Sequence, residues 1–529
     1  MAGSFSPQTI PSLTGWQAAA GTWERQPDTQ LVGAITGHTG AQILAAETGL
    51  ELAGAVARPQ DIELRLDSAR TELGKEGYEL QIGVGGVQLT AATEVGLFYA
   101  TRTLSQLLRQ GPTLPYGRAV DRPRYEERGV TLCGGQVGIQ MDWVERLLTE
   151  MADLKLNHLL LELKLKPAKH PESAAWHYYT RAQIRQLCHP ARERHIDLIP
   201  EINSPGHLGI WLEQHPELQL VDRHGQGHPE MLDISKPQAV HYYLELVDEY
   251  LEAFDTPWFH MGADEYLIGT RASEFPALTA WAQVTYGAQA TIDDAFTAFI
   301  NTVADHVRAA GKRLRIWNDG VIDTQVVRLD PSVVVEFWYG QGISAAALAQ
   351  RGTRILNATE LLYWSRSAEF YRVDCRALWE SDWQVGQLPG TALKPEHPAL
   401  LGAKLSIWPD LAYLRTEGEV EQQVRDSLRL VSQLTWPVGT MAWIGRASRR
   451  GSTPWTAAPC GSSRQGPVPV CTGSATLTVR CSAQLIALIT TASSWCCLLL
   501  TPPRRMTLGG CYPPRRATTN WSPPGAVWP

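Results

Sequence analysis

The chain carries no C-x-x-C pair, no apolar run of about 18 residues and no long basic stretch in its first four hundred residues. Each absence closes a class of function. Cys133, Cys188 and Cys375 are scattered through the body, so cysteine supplies neither a zinc ligand set nor a disulfide framework, and the three read as small reduced hydrophobes. Without a long apolar run no membrane partner is expected. Met1 to Ala20 also lacks the charged start and apolar stretch of an export signal, so a cytoplasmic location is expected. A net charge of −7 of mixed signs leaves no electrostatic footprint for nucleic acid. No cofactor is expected either, and oligomeric state leaves no mark in the sequence.

One region lacks more. Residues 446–529 contain no Asp, Glu or Lys, only Arg among the charged side chains, with Ser, Thr, Pro, Gly, Cys and Trp in excess. They read either as a basic disordered arm or as the product of a shifted reading frame in a GC-rich gene. Losing acids and lysines together favours the second, and this irregular tail is expected to be unstructured.

What is present is a body able to build a large core: 44% of the 529 residues are hydrophobic and 19 are Trp. Residues 5–118 read as a small α+β domain. Ile62 to Leu66 and Tyr78 to Ile82 alternate as half-buried strands do, and Leu97, Thr101, Leu104 and Leu108 form one helical stripe. Ala119 to Arg124 reads as a Pro-containing, charged connector.

From residue 124 to about 440, short apolar runs alternate with amphipathic helical stretches, as parallel strands with helical crossovers do. Eight runs can be placed: Val130 to Cys133, His158 to Leu163, Asp197 to Ile202, Trp258 to Met261, Leu314 to Trp317, Val333 to Trp338, Arg354 to Leu356 and Lys404 to Trp408. Helices are expected at Asp142 to Leu154, Gln238 to Phe254, Ile292 to Ala310 and Thr416 to Trp436, and Pro190 should kink or split the one over Thr180 to Arg194. The fold class is therefore α/β, a (β/α)8 TIM barrel behind a small α+β domain.

In such a barrel, chemistry belongs at the C-terminal ends of the strands. Those ends carry Glu201, Asn203 and His207, then His260, Asp264 and Glu265, then Trp317 and Asp319, Trp338, Glu360 and Tyr363, and Trp408 and Asp410. The adjacent Asp264 and Glu265 are the sharpest signal. Two carboxylates that close cannot both ionise comfortably, so their environments must separate their pKa values, as an acid paired with a charged stabiliser requires. An Asp-Glu dipeptide alone is equally at home where a strand runs into a solvated loop. A single Trp at a strand end is more often core than ligand platform, but several around paired acids suit the apolar face of a pyranose.

Arg128-Gly129, the turn Pro200-Glu-Ile-Asn-Ser-Pro-Gly-His207, His260-Met-Gly-Ala-Asp-Glu265, Trp338, Tyr363 and Trp408-Pro-Asp410 together resemble glycoside hydrolase family 20, the β-N-acetylhexosaminidases and lacto-N-biosidases, over about residues 5–440. The resemblance implies a retaining, substrate-assisted mechanism. Glu265 would protonate the glycosidic oxygen and Asp264 would orient the 2-acetamido group as its carbonyl oxygen attacks C1. For both acids to reach one sugar, the backbone must twist at Asp264. Arg128 and Asp410 would bind hydroxyls, Tyr363 would hold the acetamido oxygen, Trp317, Trp338 and Trp408 would wall its methyl group, and His207 and His260 would support the acids. The implied partner is an oligosaccharide or glycoconjugate ending in N-acetylhexosamine.

The chain also departs from that family. Leu132-Cys-Gly-Gly-Gln136 stands where Asp and an Arg-His pair are frequent, and Glu162-Leu-Lys-Leu-Lys166 where a His-x-His is frequent. Asp410 replaces a common Glu, and Ser365 a common Asp. These changes point to a divergent branch and leave three alternatives open. They are a disaccharide-releasing enzyme, a non-catalytic sugar binder, and a metal hydrolase built on His207, His260 and Asp264, the last weakened by poor ligand spacing.

Overall fold

The first 121 positions fold into a mixed sheet of seven strands: β1 (Gln17–Glu24), β2 (Gln30–Val32), β3 (Glu51–Ala53), β4 (Ile62–Leu66), β5 (Tyr78–Gly83), β6 (Gly86–Ala91) and β7 (Thr113–Asp121), in the order β1-β7-β5-β6-β4-β2-β3. The computed structural model describes residues 7–437 apart from 34–36, 55, 136, 174–177, 267–271, 325, 341, 366–370 and 410–414, so the tail discussed above lies outside the described residues. Helices α1 (Thr39–Thr48) and α2 (Glu94–Gln110) pack together, and α2 buries Leu97, Tyr99, Ala100 and Leu104. The stretch read as a connector is partly strand. Ala119, Val120 and Asp121 complete β7 and pair with Leu80, Glu79 and Tyr78, because this end of β7 alternates buried and exposed side chains despite its charge.

The second unit is a barrel of parallel strands: β8 (Glu127–Cys133), β9 (His158–Glu162), β10 (Asp197–Ser204), β13 (Trp258–Gly262), β14 (Arg313–Trp317), β15 (Val334–Phe337), β16 (Ile355–Asn357) and β20 (Leu400–Trp408). β20 pairs with β8 on one side and β16 on the other, which closes the ring. Short strands lie outside it: β11 (Gln219–Val221) with β12 (Gly227–Leu232), β18 (Gln387–Leu388) with β19 (Thr391–Ala392), and β17 (Tyr363–Ser365) beside the end of β20. Closure needs one close approach. A Cβ at Gly402 would sit 1.8 Å from the Glu127 carbonyl oxygen, so only glycine lets β20 meet β8 there.

The crossover helices are α3 (Met141–Asp153), α4 (Arg181–Glu193), α5 (Gly209–Leu212), α6 (Pro237–Ala253), α7 (Pro276–Tyr286), α8 (Ile292–Ala309), α9 (Ala345–Gln350), α10 (Cys375–Glu380) and α11 (Glu417–Thr435). Capping boxes start three of them: Thr180 with Gln183, Thr291 with Asp294, and Thr416 with Glu419. Contrary to expectation, α4 runs unbroken through Pro190. The proline sits in the last turns, where it removes little helical bonding, while Ile184, Leu187, Cys188 and Ala191 stay buried. No helix among the described residues is long and apolar enough to cross a membrane.

The barrel interior below the strand ends is polar. Arg315 donates to both oxygens of Glu127 at 3.1 and 2.7 Å and to Glu336 at 2.7 Å, and Lys404 pairs with Glu336. All four are buried. The charges satisfy one another, as buried ions must.

Candidate active site

The strand carrying the paired acids ends in a sharp backbone reversal. Gly262, Ala263 and Glu265 have φ of 74°, 70° and 54°, all left-handed. This is the twist that two adjacent residues need to serve one ligand. Gly262 is required in its place, since a Cβ there would lie 1.9 Å from Asn203 Oδ1. The turn is tied down on both sides: Ala263 N–H donates to the Ser204 carbonyl at 2.9 Å and Glu265 N–H to Asp319 Oδ2 at 2.8 Å.

His207, itself at φ 51°, gathers the two acids. Its Nε2 lies 3.4 Å from Asp264 Oδ2 and 3.4 Å from Glu265 Oε2. Burial works against a charged ring, but the Asp264 and Glu265 carboxylates outweigh it and push the His207 pKa up to about 12. Burial likewise raises Asp264, yet the His207 charge and the Asn203 amide hold it below the usual carboxylate range. Asp264 Oδ1 is buried without a hydrogen-bond partner among the described residues. The Glu265 side chain is half exposed, at 52%.

Both acids line a cavity of about 800 Å3, within the roughly 300–1,000 Å3 of small-molecule sites. Trp317, Trp338, Tyr363 and Trp408 form one wall. Trp338 and Tyr363 stack at 6.3 Å and 19°, while Trp408 lies 5.7 Å from Trp317, tilted, and 5.8 Å from Tyr363, edge-on. Trp317 is fixed through its indole N–H to Glu201 at 3.0 Å, and Trp338 through its indole N–H to Asp319 at 2.8 Å. Burial and the Asp264 charge push Asp319 up to about 7.

The opposite wall holds residues that the sequence offered only as departures. The Cys133 thiol donates to Glu162 Oε2 at 2.7 Å, and burial together with the Glu201 charge pushes Glu162 up to about 8. Ile210, Glu213, Glu230, Tyr339 and Tyr371 also face the cavity without having been singled out. They sit on loops, on the one-turn helix α5 and on the short strand β12, none long enough to carry a periodic signal.

Three expectations change. Arg128 does not line the cavity: it lies near the N-terminal end of β8, and its guanidinium donates to the Lys155 carbonyl at 2.7 Å, Glu76 at 2.8 Å and the Tyr125 carbonyl at 2.9 Å. The alternation of β8 explains this, since Glu127 meets Arg315 in the interior and Cys133 meets the cavity, leaving Arg128 to face outward. His260 is fully buried beneath the cavity, 3.0 Å from Glu201 through Nδ1 and 4.9 Å from the Trp317 ring centroid, so it supports the floor rather than a ligand. Among the described residues, the cluster with metal-ligand spacing here is His207, Asp264 and Glu265, without His260. Asp410 lies outside the described residues.

The family models decide the ancestry. Residues 125–424 match "Glycosyl hydrolase family 20, catalytic domain" and residues 6–122 match "Glycosyl hydrolase family 20, domain 2". The chain belongs to glycosyl hydrolase family 20. Among its family 20 relatives, a lacto-N-biosidase of Bifidobacterium bifidum is 46% identical over 441 residues, covering 81% of this chain and 40% of the relative. A β-hexosaminidase of Porphyromonas gingivalis is 24% identical, covering 69% of this chain and 51% of the relative. The chain thus spans two fifths to one half of these relatives' lengths. In fold it is similar to the β-N-acetylhexosaminidase of Bacteroides fragilis, with a TM-score of 0.70, 17% identity and coverage of 84% of this chain and 93% of that one. The Streptomyces plicatus N-acetyl-β-hexosaminidase gives 0.67, with 21% identity and coverage of 83% and 93%.

Proposed function

We propose that the chain is a retaining glycosidase that removes terminal β-linked N-acetylhexosamine from oligosaccharides or glycoconjugates, with the substrate's own acetamide as nucleophile. The observation that carries this reading is the placement of Asp264 and Glu265 on one imidazole nitrogen, beside a wall of three Trp and one Tyr. Asp264 stays ionised, and its unpartnered Oδ1 accepts the acetamido N–H. That bond orients the amide oxygen toward C1 and stabilises the positive charge that develops on the amide. As the C1–oxygen bond breaks, Glu265, nearer solvent, passes its proton to the departing oxygen. Water then attacks C1 of the oxazolinium intermediate, Glu265 takes back a proton, and two inversions retain configuration. Tyr363 holds the acetamido oxygen, and Trp317, Trp338 and Trp408 enclose its methyl group.

A second reading shares the chemistry and differs in the unit released. A disaccharide-releasing enzyme is supported by the 46% identity to a lacto-N-biosidase and by a cavity of about 800 Å3, roomy for one pyranose.

The test is a panel of chromogenic β-glycosides in which the 2-acetamido group is kept or replaced by hydroxyl, on a monosaccharide and on a disaccharide ending in N-acetylglucosamine at the scissile bond. Hydrolysis confined to acetamido substrates is expected. Equal rates on the hydroxyl analogue contradict the assisted mechanism, binding without turnover leaves a sugar-binding protein, and preference for the disaccharide selects the second reading.

A further inference from the structure

The loops after β9 and β10 bring together ligand-type side chains that the glycosidase reading does not use. His170 and Glu172 come from the first loop, His215 from the second, and one ligand atom from each lies within 4.8 Å of the others. Glu172 Oε1 is 3.1 Å from His215 Nε2 and 3.5 Å from His170 Nδ1. The far nitrogen of each ring also meets a carboxylate: His170 Nε2 is 2.9 Å from Glu245 Oε2, and His215 Nδ1 is 3.2 Å from Glu217 Oε1.

Four carboxylate contacts compete for the protons of two rings. An ionised carboxylate only accepts, and a neutral imidazole has one N–H, which each ring can direct at its outer partner, Glu245 or Glu217, or at Glu172 between them. With N–H on the outer partners, the inner nitrogens turn lone pairs toward Glu172 Oε1, three acceptors facing one another. A cation between them satisfies all three; without one, a ring must turn its N–H inward or carry an extra proton.

The distances favour the cation. Metal bonds of about 2.0–2.2 Å to imidazole nitrogen and carboxylate oxygen, in tetrahedral geometry, place ligand atoms about 3.4 Å apart. The two measured separations, 3.1 and 3.5 Å, bracket that edge. Histidine ligands with their outer N–H on a carboxylate are the usual second layer of zinc sites, and here both rings have one. The rings are also held in place. Tyr242 of α6 lies 4.6 and 4.7 Å from their centroids, and its hydroxyl bonds the Trp211 carbonyl and Ser173. Lys169 and His241 meet the second oxygen of Glu245 at 3.1 and 3.7 Å, which leaves its first oxygen to His170.

We infer that His170, Glu172 and His215 form a site for a divalent transition metal of the zinc class, with water as fourth ligand. Two imidazoles among three donors exclude calcium and magnesium, which take oxygen. The metal clamps the loop after β9 to the segment that follows Gly209, Ile210 and Glu213, which line the cavity, so it stiffens one rim of the pocket. Sequence did not reveal it because the donors come from two separate loops and show no motif spacing.

The experiment uses the full chain stripped with chelator and titrated calorimetrically with zinc chloride. The wild type and Asp264→Asn should each take up one Zn2+ at this site, and the double variant His170→Gln/His215→Gln should lose it. Glu245→Gln and Glu217→Gln should weaken binding by about 10- to 100-fold, an effect that simple loop packing would not give. Zinc should raise the melting temperature of the wild type and leave the double variant unmoved. No uptake by the wild type, or uptake unchanged in the double variant, overturns the site. If the double variant does not fold, undiminished affinity in both glutamate variants overturns it.

Discussion

Trp338 donates its indole N–H to Oδ1 of Asp319 at 2.8 Å. The other oxygen of that carboxylate takes the Glu265 backbone N–H at the same distance. One side chain therefore ties both an aromatic wall and the backbone of the proposed proton donor, Glu265. Replacing Asp319 by Ala leaves both donors unpaired, and kcat/KM should fall by about 10- to 100-fold, as expected for about 1–3 kcal/mol of lost hydrogen bonding. Wild-type kinetics in Asp319→Ala would show that the tie is idle.

Removing the charge beside Asp264 should appear in the pH profile. The His207 charge helps hold Asp264 below the usual range against burial, so His207→Asn should move the acid limb of kcat/KM to higher pH. An unmoved limb would mean that the limb does not report Asp264.

Proton donation by Glu265 predicts a dependence on leaving group. Glu265→Gln should lose about 10²- to 10⁴-fold on substrates with poor leaving groups and little on very acidic phenols, whose oxygens leave unprotonated. Single-turnover rates on a phenol series check it, and equal losses across the series contradict the role.

Glu162 predicts a stability difference. Burial and the Glu201 charge push its pKa up to about 8, against about 4.5 for an ordinary glutamate, so between these limits the folded chain holds a proton that the unfolded chain has released. Stability contributed here falls as pH rises from about 4.5 to 8 and is level above that. Glu162→Gln should therefore raise the melting temperature more at pH 8 than at pH 5. A uniform shift would show that burial strain, not ionisation, is relieved.

Arg128 should matter for folding rather than turnover. It joins Glu76 of the first domain to the base of β8 and lies 4.9 Å from the Trp436 ring centroid after α11. Arg128→Ala strands a nearly buried carboxylate and should cost about 3–5 kcal/mol in chemical denaturation, with KM unchanged for the molecules that remain folded. A raised KM at wild-type stability would return Arg128 to the site.

The barrel was legible because each of its strands is a short apolar run with a strand-end polar residue, and the paired acids and aromatic wall lie on those ends. Elements set by pairing rather than composition were not. β1 is almost wholly exposed, so Gln17 to Glu24 has no apolar alternation to find and is strand only because β7 lies beside it. Pro190 misled because a breaker near a helix end costs little. Arg128 was placed by resemblance at the correct strand but on the wrong face, a difference of one residue in the alternation. Cys133 and Glu162 stand 29 positions apart, and only the adjacency of β8 and β9 makes them a pair.

The layer formed by Glu127, Arg315, Glu336 and Lys404 beneath Trp317 has an effect on what can enter from above. Ions locked to one another leave no channel down the barrel axis, so the pocket is a blind well. A sugar held as proposed would rest above Trp317, whose ring caps Lys404 at 4.7 Å, and could not pass down the barrel axis.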